Sequence, residues 1–133
     1  MSGVSVTVVV QWGEMDALGH VNNARFFTWF ESARIAMFNR IGVATSGPST
    51  IGPILATTTC DFVRPVVYPK TIRVDAKVSR VGETSIAMEY VVCDDADEKE
   101  IFARGTSVAV LVDYATMKKV RVPDDVRAAI SSL

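Results

Sequence analysis

No apolar run in the chain approaches the ~18 residues that a membrane-crossing helix needs, so no segment reads as a span. An excess of one charge is also lacking. Lys and Arg number 14 against 15 Asp and Glu, for a net charge of −1. That balance offers a nucleic acid no basic stripe, so neither nucleic acid nor membrane is expected as a partner. Cysteine is scarce: Cys60 and Cys93 both lie in apolar runs and read as buried free thiols of a reducing compartment, not as a disulfide framework. The start of the chain lacks the basic stretch and small-residue cleavage site of a secretory leader, and a cytoplasmic protein is the resulting expectation. Repeats, low-complexity tracts and internal linkers are missing too. One domain spanning 1–133 is therefore expected. With 49% hydrophobic and 22% charged residues, the composition is that of an ordinary soluble domain with a full core.

What is present is concentrated in one stretch, Glu14-Met15-Asp16-Ala17-Leu18-Gly19-His20-Val21-Asn22-Asn23-Ala24-Arg25. It sets a carboxylate, the only histidine and two asparagines directly before the longest helical pattern. Asn22 or Asn23 can cap that helix, because an Asn side chain accepts from a free backbone N–H in the first turn. Gly42 is its expected stop. Phe26, Phe30, Ala33, Met37 and Ile41 fall on one face, Phe27 and Phe38 widen it, and Trp29 and Ile35 lie toward the other side. A helix this apolar nearly all round belongs inside a structure.

Strands surround it. Residues 4–11 alternate as a first strand, and 13–21 form the loop carrying Asp16, Gly19 and His20. Residues 42–53, with three glycines and two prolines, read as a loop skirting the helix end. Strands follow over 54–64, 71–81, 84–93 and 100–112. That over 71–81 alternates most cleanly, with one side on the core and one in water. Asp94 to Glu98 reads as a solvated hairpin tip, not a metal site. Pro123 opens a short helix over 124–131, with Asp124 and Asp125 where the macrodipole favours acid. Lys118, Lys119 and Arg121 read as solvated surface. The expected class is α+β: a curved antiparallel sheet of about five strands wrapped round one long helix. Such a sheet leaves edge strands and a half-covered helix, so at least a dimer is expected.

The motif Asp16-x-x-Gly19-His20-Val21-Asn22-Asn23, followed by Phe26…Phe30-Glu31-x-Ala33-Arg34, resembles the signature of hot-dog-fold acyl-CoA thioesterases of the 4-hydroxybenzoyl-CoA thioesterase-like family. Phe62-x-x-Pro65 and Gly82 fit the same pattern, and the similarity covers roughly residues 5–113. The resemblance implies a hot-dog dimer joined edge to edge, often paired again into a tetramer, with active sites between subunits. It also implies an acyl-CoA or acyl-carrier thioester as substrate. The implied catalytic carboxylate is Asp16, and the implied donor to the thioester carbonyl is the Asn23 backbone N–H. His20 and Asn22 sit where that family varies.

The residues themselves support such chemistry. Thioester hydrolysis needs a nucleophile, or a base that activates water, together with donors for the developing oxyanion. One acid and one helix N-terminus supply both, so no metal is expected and no cofactor beyond the coenzyme A of the substrate. Asp16 taken alone reads first as a turn or capping residue, and His20 is as readily a hydrogen-bonded loop residue as a substrate contact. Gly19 allows a tight turn or close approach of substrate. Gly19, His20, Asn22, Glu31 and Arg64 are the substrate-binding candidates. Arg64 leads the basic residues that could meet coenzyme A phosphates, ahead of Lys70, Arg80 and Arg104. Phe26, Phe27 and Phe30 are candidates for lining an acyl pocket. Arg34 falls inside the apolar arc of the helix. It needs a partner there, and Glu31 at i, i+3 is the expected one; a partner subunit or a ligand is the alternative. Two rival functions use the same fold: an acyl-thioester hydratase or dehydratase, disfavoured because His20 precedes the helix, and a non-catalytic acyl-CoA-binding module.

Overall fold

The computed structural model describes residues 3–45 and 50–133. Strand β1 (Gly3–Val9) leads through a short 3₁₀ turn (Trp12–Glu14) and the loop to helix α1 (Ala24–Ile41). Strands β2 (Ile51–Phe62), β3 (Thr71–Val81), β4 (Ser85–Asp94) and β5 (Ile101–Asp113) follow, then the two-residue β6 (Lys118–Lys119) and helix α2 (Asp124–Ser131). The sheet runs β1-β3-β4-β5-β2, all antiparallel, with β6 added beside β5. This is the hot-dog arrangement, with α1 held on the inner face of the sheet.

The residues of that inner face explain why. On β3, Ile72, Val74 and Ala76 are buried; on β4, Ile86, Met88, Tyr90 and Val92; on β5, Ala103, Ser107, Ala109 and Leu111. Against them α1 sets Phe26, Phe30, Ala33, Met37 and Ile41, all at 2% exposure or less. Apolar area lost on this scale, at roughly 25 cal/mol per Å², is the main force holding helix to sheet. Gly105 on β5 makes the approach possible. A Cβ there would overlap the Phe30 ring and lie 2.7 Å from the Thr59 carbonyl oxygen. Phe30 in turn stacks on Tyr90 at 4.7 Å.

Several expectations shift. β2 begins at Ile51, inside the stretch read as loop, and so includes Gly52 and Pro53. A proline lacks the ladder N–H, but β2 is an edge strand, where that loss is tolerated. Residues 46–49 of the expected loop lie outside the described residues. Lys118 and Lys119 form β6, so the sheet has six strands where about five were expected. Arg121 is at the surface, where it pairs with Asp124 at 2.8 Å and Glu83 at 3.4 Å. Gly42 ends α1 in the left-handed region at φ 83°, as glycine does without penalty. Cys60 and Cys93 are both free thiols, on β2 and β4 with β5 between them. Burial, helped by Asp61, pushes the Cys60 thiol up to about 11, which keeps it protonated and unreactive.

Candidate active site

The loop before α1 is braced on both sides. Met15 and Val21 form a bridge, Asn22 N–H donates to Glu14 O at 2.9 Å, and Val21 N–H donates to Val66 O at 2.8 Å. Within it, Asp16 N–H donates to His20 O at 2.8 Å and Gly19 N–H to Asp16 O at 3.1 Å. Gly19 closes this turn at φ 82°, a conformation that costs any residue with a Cβ. The Asp16 backbone is thus held. Its Oδ1 accepts from Leu18 N–H at 2.9 Å in an Asx turn. Its Oδ2 has no partner among the described residues. The turn role and a chemical role therefore use different oxygens of one carboxylate.

The helix start divides its work in the same way. Asn22 Oδ1 accepts from Ala24 N–H at 2.9 Å and so does the capping. Asn23 occupies the N-cap position with helical backbone (φ −53°, ψ −33°), and its side chain makes no capping bond. Arg25 N–H reaches Asn22 O and Phe26 N–H reaches Asn23 O. The Asn23 N–H donates to nothing among the described residues. An unspent amide at the positive end of an 18-residue helix is a ready anion donor.

Asp16 and Asn23 line one cavity of about 340 Å³. His20 and Arg64 line it too, with Leu18, Val21, Phe26, Phe62, Val63 and Pro65. Phe26 and Phe62 meet edge to face at 5.1 Å and build its apolar wall. Arg64 is placed by its own and the Val63 N–H, which both donate to Phe102 O at 3.0 and 2.8 Å. Its guanidinium forms no ion pair among the described residues. The cavity therefore offers a carboxylate oxygen, an amide donor, an apolar wall and a cation near the rim.

The other residues singled out from the sequence lie elsewhere. Gly19 shapes the loop and does not line the cavity. Asn22 faces a separate depression with Glu14, Met15 and Arg25. Glu31 lines a third cavity two turns further along α1. The expected Glu31–Arg34 pair does not form: Arg34 is 8% exposed and its Nη1 donates to Tyr90 Oη at 3.4 Å instead. The Tyr90 hydroxyl lies under α1, so the guanidinium turns inward while Glu31 stays at the rim. Lys70 is held by Asp94 at 3.0 Å, and Arg104 stands on the opposite face of the sheet. Among the aromatic candidates, Phe26 lines the cavity, Phe30 is core, and Phe27 is at the surface. Leu18, Phe62 and Val63 were not among the candidates. Their signal was exposure of large apolar side chains, at 82%, 45% and 48%, on either side of the motif. A larger cavity, about 430 Å³, lies on the outer face of the sheet among Asp61, Asp75, Lys77, Glu89 and Arg104. No helix terminus opens onto it, and size alone does not select the site.

Residues 10–130 match the thioesterase-like superfamily. The YsmA protein of Bacillus subtilis (strain 168) is 30% identical over 118 residues, covering 89% of this chain and 78% of that protein. Among solved structures, the PA2801 protein of Pseudomonas aeruginosa is 33% identical, with a TM-score of 0.87 over 95% of this chain and 96% of that one. A thioesterase-superfamily protein from Jannaschia sp. CCS1 is 26% identical, with a TM-score of 0.89 over 96% and 80%. Slr0204 of Synechocystis, a 1,4-dihydroxy-2-naphthoyl-CoA thioesterase, shares the fold at 16% identity, with a TM-score of 0.87 over 98% and 97%.

Proposed function

The chain belongs to the thioesterase-like superfamily, and from that premise we propose that it hydrolyses an acyl-CoA or acyl-carrier thioester to the free acid and a thiol, with Asp16 as its catalytic carboxylate. The observation that carries this reading is the convergence of Asp16 and the unspent Asn23 amide on one apolar-walled cavity. The thioester carbonyl oxygen lies against the Asn23 N–H. As charge develops on that oxygen, the amide and the helix dipole stabilise it. Asp16 Oδ2 acts on the carbonyl from the other side. In a direct attack its oxygen bonds to the carbonyl carbon, the C–S bond breaks, and the thiolate leaves an acyl anhydride that water then cleaves. As a base it takes a proton from the water that attacks, and gives it to the departing sulfur. Single-turnover reaction in ¹⁸O-water separates the two, since only direct attack routes the first oxygen through the protein. Arg64 at the rim is placed to meet phosphate.

The reading includes a dimer. Over 54–62 the outer side of β2 has no strand partner among the described residues, and Leu55 and Phe62, with Val63 just past the strand's end, stand 42–48% exposed. Two β2 edges pairing antiparallel would continue the sheet and cover that row.

The experiment is release of free thiol by the wild-type protein from a panel of acyl-CoAs that includes an enoyl-CoA. Thiol release is the expected result. Hydration of the enoyl-CoA without thiol release would point to a hydratase. Tight binding with no turnover of any thioester would leave a binding module.

A further inference from the structure

Arg34 is a cation more than nine-tenths buried, and no carboxylate among the described residues pairs with it. Its one hydrogen bond among the described residues is the 3.4 Å contact to Tyr90 Oη, itself bound to Ser107 Oγ at 2.6 Å. A guanidinium carries five donors in a fixed fork. Among the described residues no fully buried side-chain nitrogen lacks a partner, so the donors that Tyr90 does not engage reach open space. The space is a cavity of about 250 Å³ between α1 and the first half of β2, lined by Arg34 with Ile35, Phe38, Leu55, Ala109 and Glu31 at its mouth. A part-enclosed guanidinium with donors left over is a ready receptor for an anion that enters the cavity.

We infer that this cavity receives the far end of the acyl group, and that the acyl group carries an acid there: the substrates are thioesters with a second, distal carboxylate. The inference rests on the thioesterase reading. The fork of Arg34 matches a carboxylate through two parallel N–H···O bonds, a geometry that Lys cannot reproduce. The placement follows from β2, which runs antiparallel to α1. Its Phe62 end packs on Phe26 beside Asp16, and its Leu55 end flanks Arg34. When two β2 edges pair antiparallel, each Asp16 cavity lies toward the Arg34 cavity of the other copy. An acyl group held by its carbonyl at one helix start then extends to a guanidinium supplied across the seam. Ile35, Phe38 and Leu55 cover its methylenes. Glu31 lines the same cavity without pairing with Arg34, and its charge opposes an incoming carboxylate.

The test compares ω-carboxyacyl-CoAs with their methyl esters, matched in chain length across a homologous series, on the wild-type protein. At the best-fitting length the acid is hydrolysed with at least a tenfold higher kcat/KM than its ester. Glu31→Gln raises that ratio, Arg34→Lys lowers it, and Arg34→Met brings it to one. A wild-type ratio at or below one at every length overturns the inference and leaves the thioesterase reading intact, and it needs no variant to fold. A ratio unchanged in Arg34→Lys overturns it as well. If no thioester is hydrolysed at all, the thioesterase reading fails separately. Calorimetric titration with free dicarboxylates and their monomethyl esters then decides the cavity: preference for the diacid, lost in Arg34→Lys, supports it, and equal binding or none overturns it.

Discussion

At the scale of single residues, the atoms that hold the loop differ from those proposed to do chemistry. Asn23 is the sharpest case, because the proposed role lies in its backbone. Its φ of −53° is one that proline adopts, so Asn23→Pro removes the N–H without forcing the backbone. Losing one oxyanion donor costs about 10²–10³ in rate. Asn23→Pro is expected to lower kcat by that factor and Asn23→Ala to leave it nearly unchanged, as read by thiol release at saturating substrate, with thermal melts confirming that both fold. The motif resemblance pointed to Asp16 and Asn23, and both sit on one short connector whose geometry is local. The environment of Arg34 was not legible in the same way. Whether it pairs with Glu31 three residues away is decided by Tyr90, 56 residues distant, whose hydroxyl lies beneath it.

At the scale of elements, alternation did most of the work. β3 runs over Thr71–Val81, the residues where polar and apolar positions alternate most strictly. Its outer face is tied to β1 by charge: Asp75 accepts from Arg73 Nε at 2.9 Å and from Ser5 Oγ at 2.6 Å, across the pair Ser5–Asp75. Burial alone would raise the Asp75 carboxyl, but Arg73 and Ser5 hold it below the ordinary 3.8. A carboxyl depressed in the folded state stabilises the fold fully above its unfolded value, and the gain is lost as pH falls through the folded value. Asp75→Asn should therefore lower Tm near neutrality, and the gap from wild type should close once the pH is well below 3.8. A gap that persists in acid would show that the contact acts by packing. The start of β2 was hidden because Gly52 and Pro53 carry the composition of a loop. Only the strand's position at the sheet edge makes them acceptable, and edge position is a property of the whole fold.

At the scale of the whole molecule, one helix inside one sheet leaves a seam that the chain does not close by itself. Phe27 and Ile35 on α1, at 36% and 41% exposure, adjoin the row of exposed apolar residues on β2. The proposed dimer closes this seam and brings the two ends of neighbouring β2 strands together. Leu55→Lys places a charge on that edge, a device by which sheets resist pairing. Sedimentation is expected to give a dimer for the wild type and a shift toward monomer for Leu55→Lys, with activity falling alongside. The helix-and-sheet plan was legible from an apolar helix followed by amphipathic strands, and the half-covered helix is what motivates the proposed dimer. The direction in which the acyl group runs was not legible, since it depends on how two separate edges meet.

The central claim is that one carboxylate, Asp16, drives thioester cleavage at a helix start. Thiol release by Asp16→Asn under saturating acyl-CoA tests it most directly, because Asn keeps the Oδ1 acceptor of the turn while removing the charge. A positioned base contributes about 10²–10⁴ in rate, and the account predicts a fall in kcat of that size with the melting profile retained. Asp16→Asn turning over at the wild-type rate would contradict it.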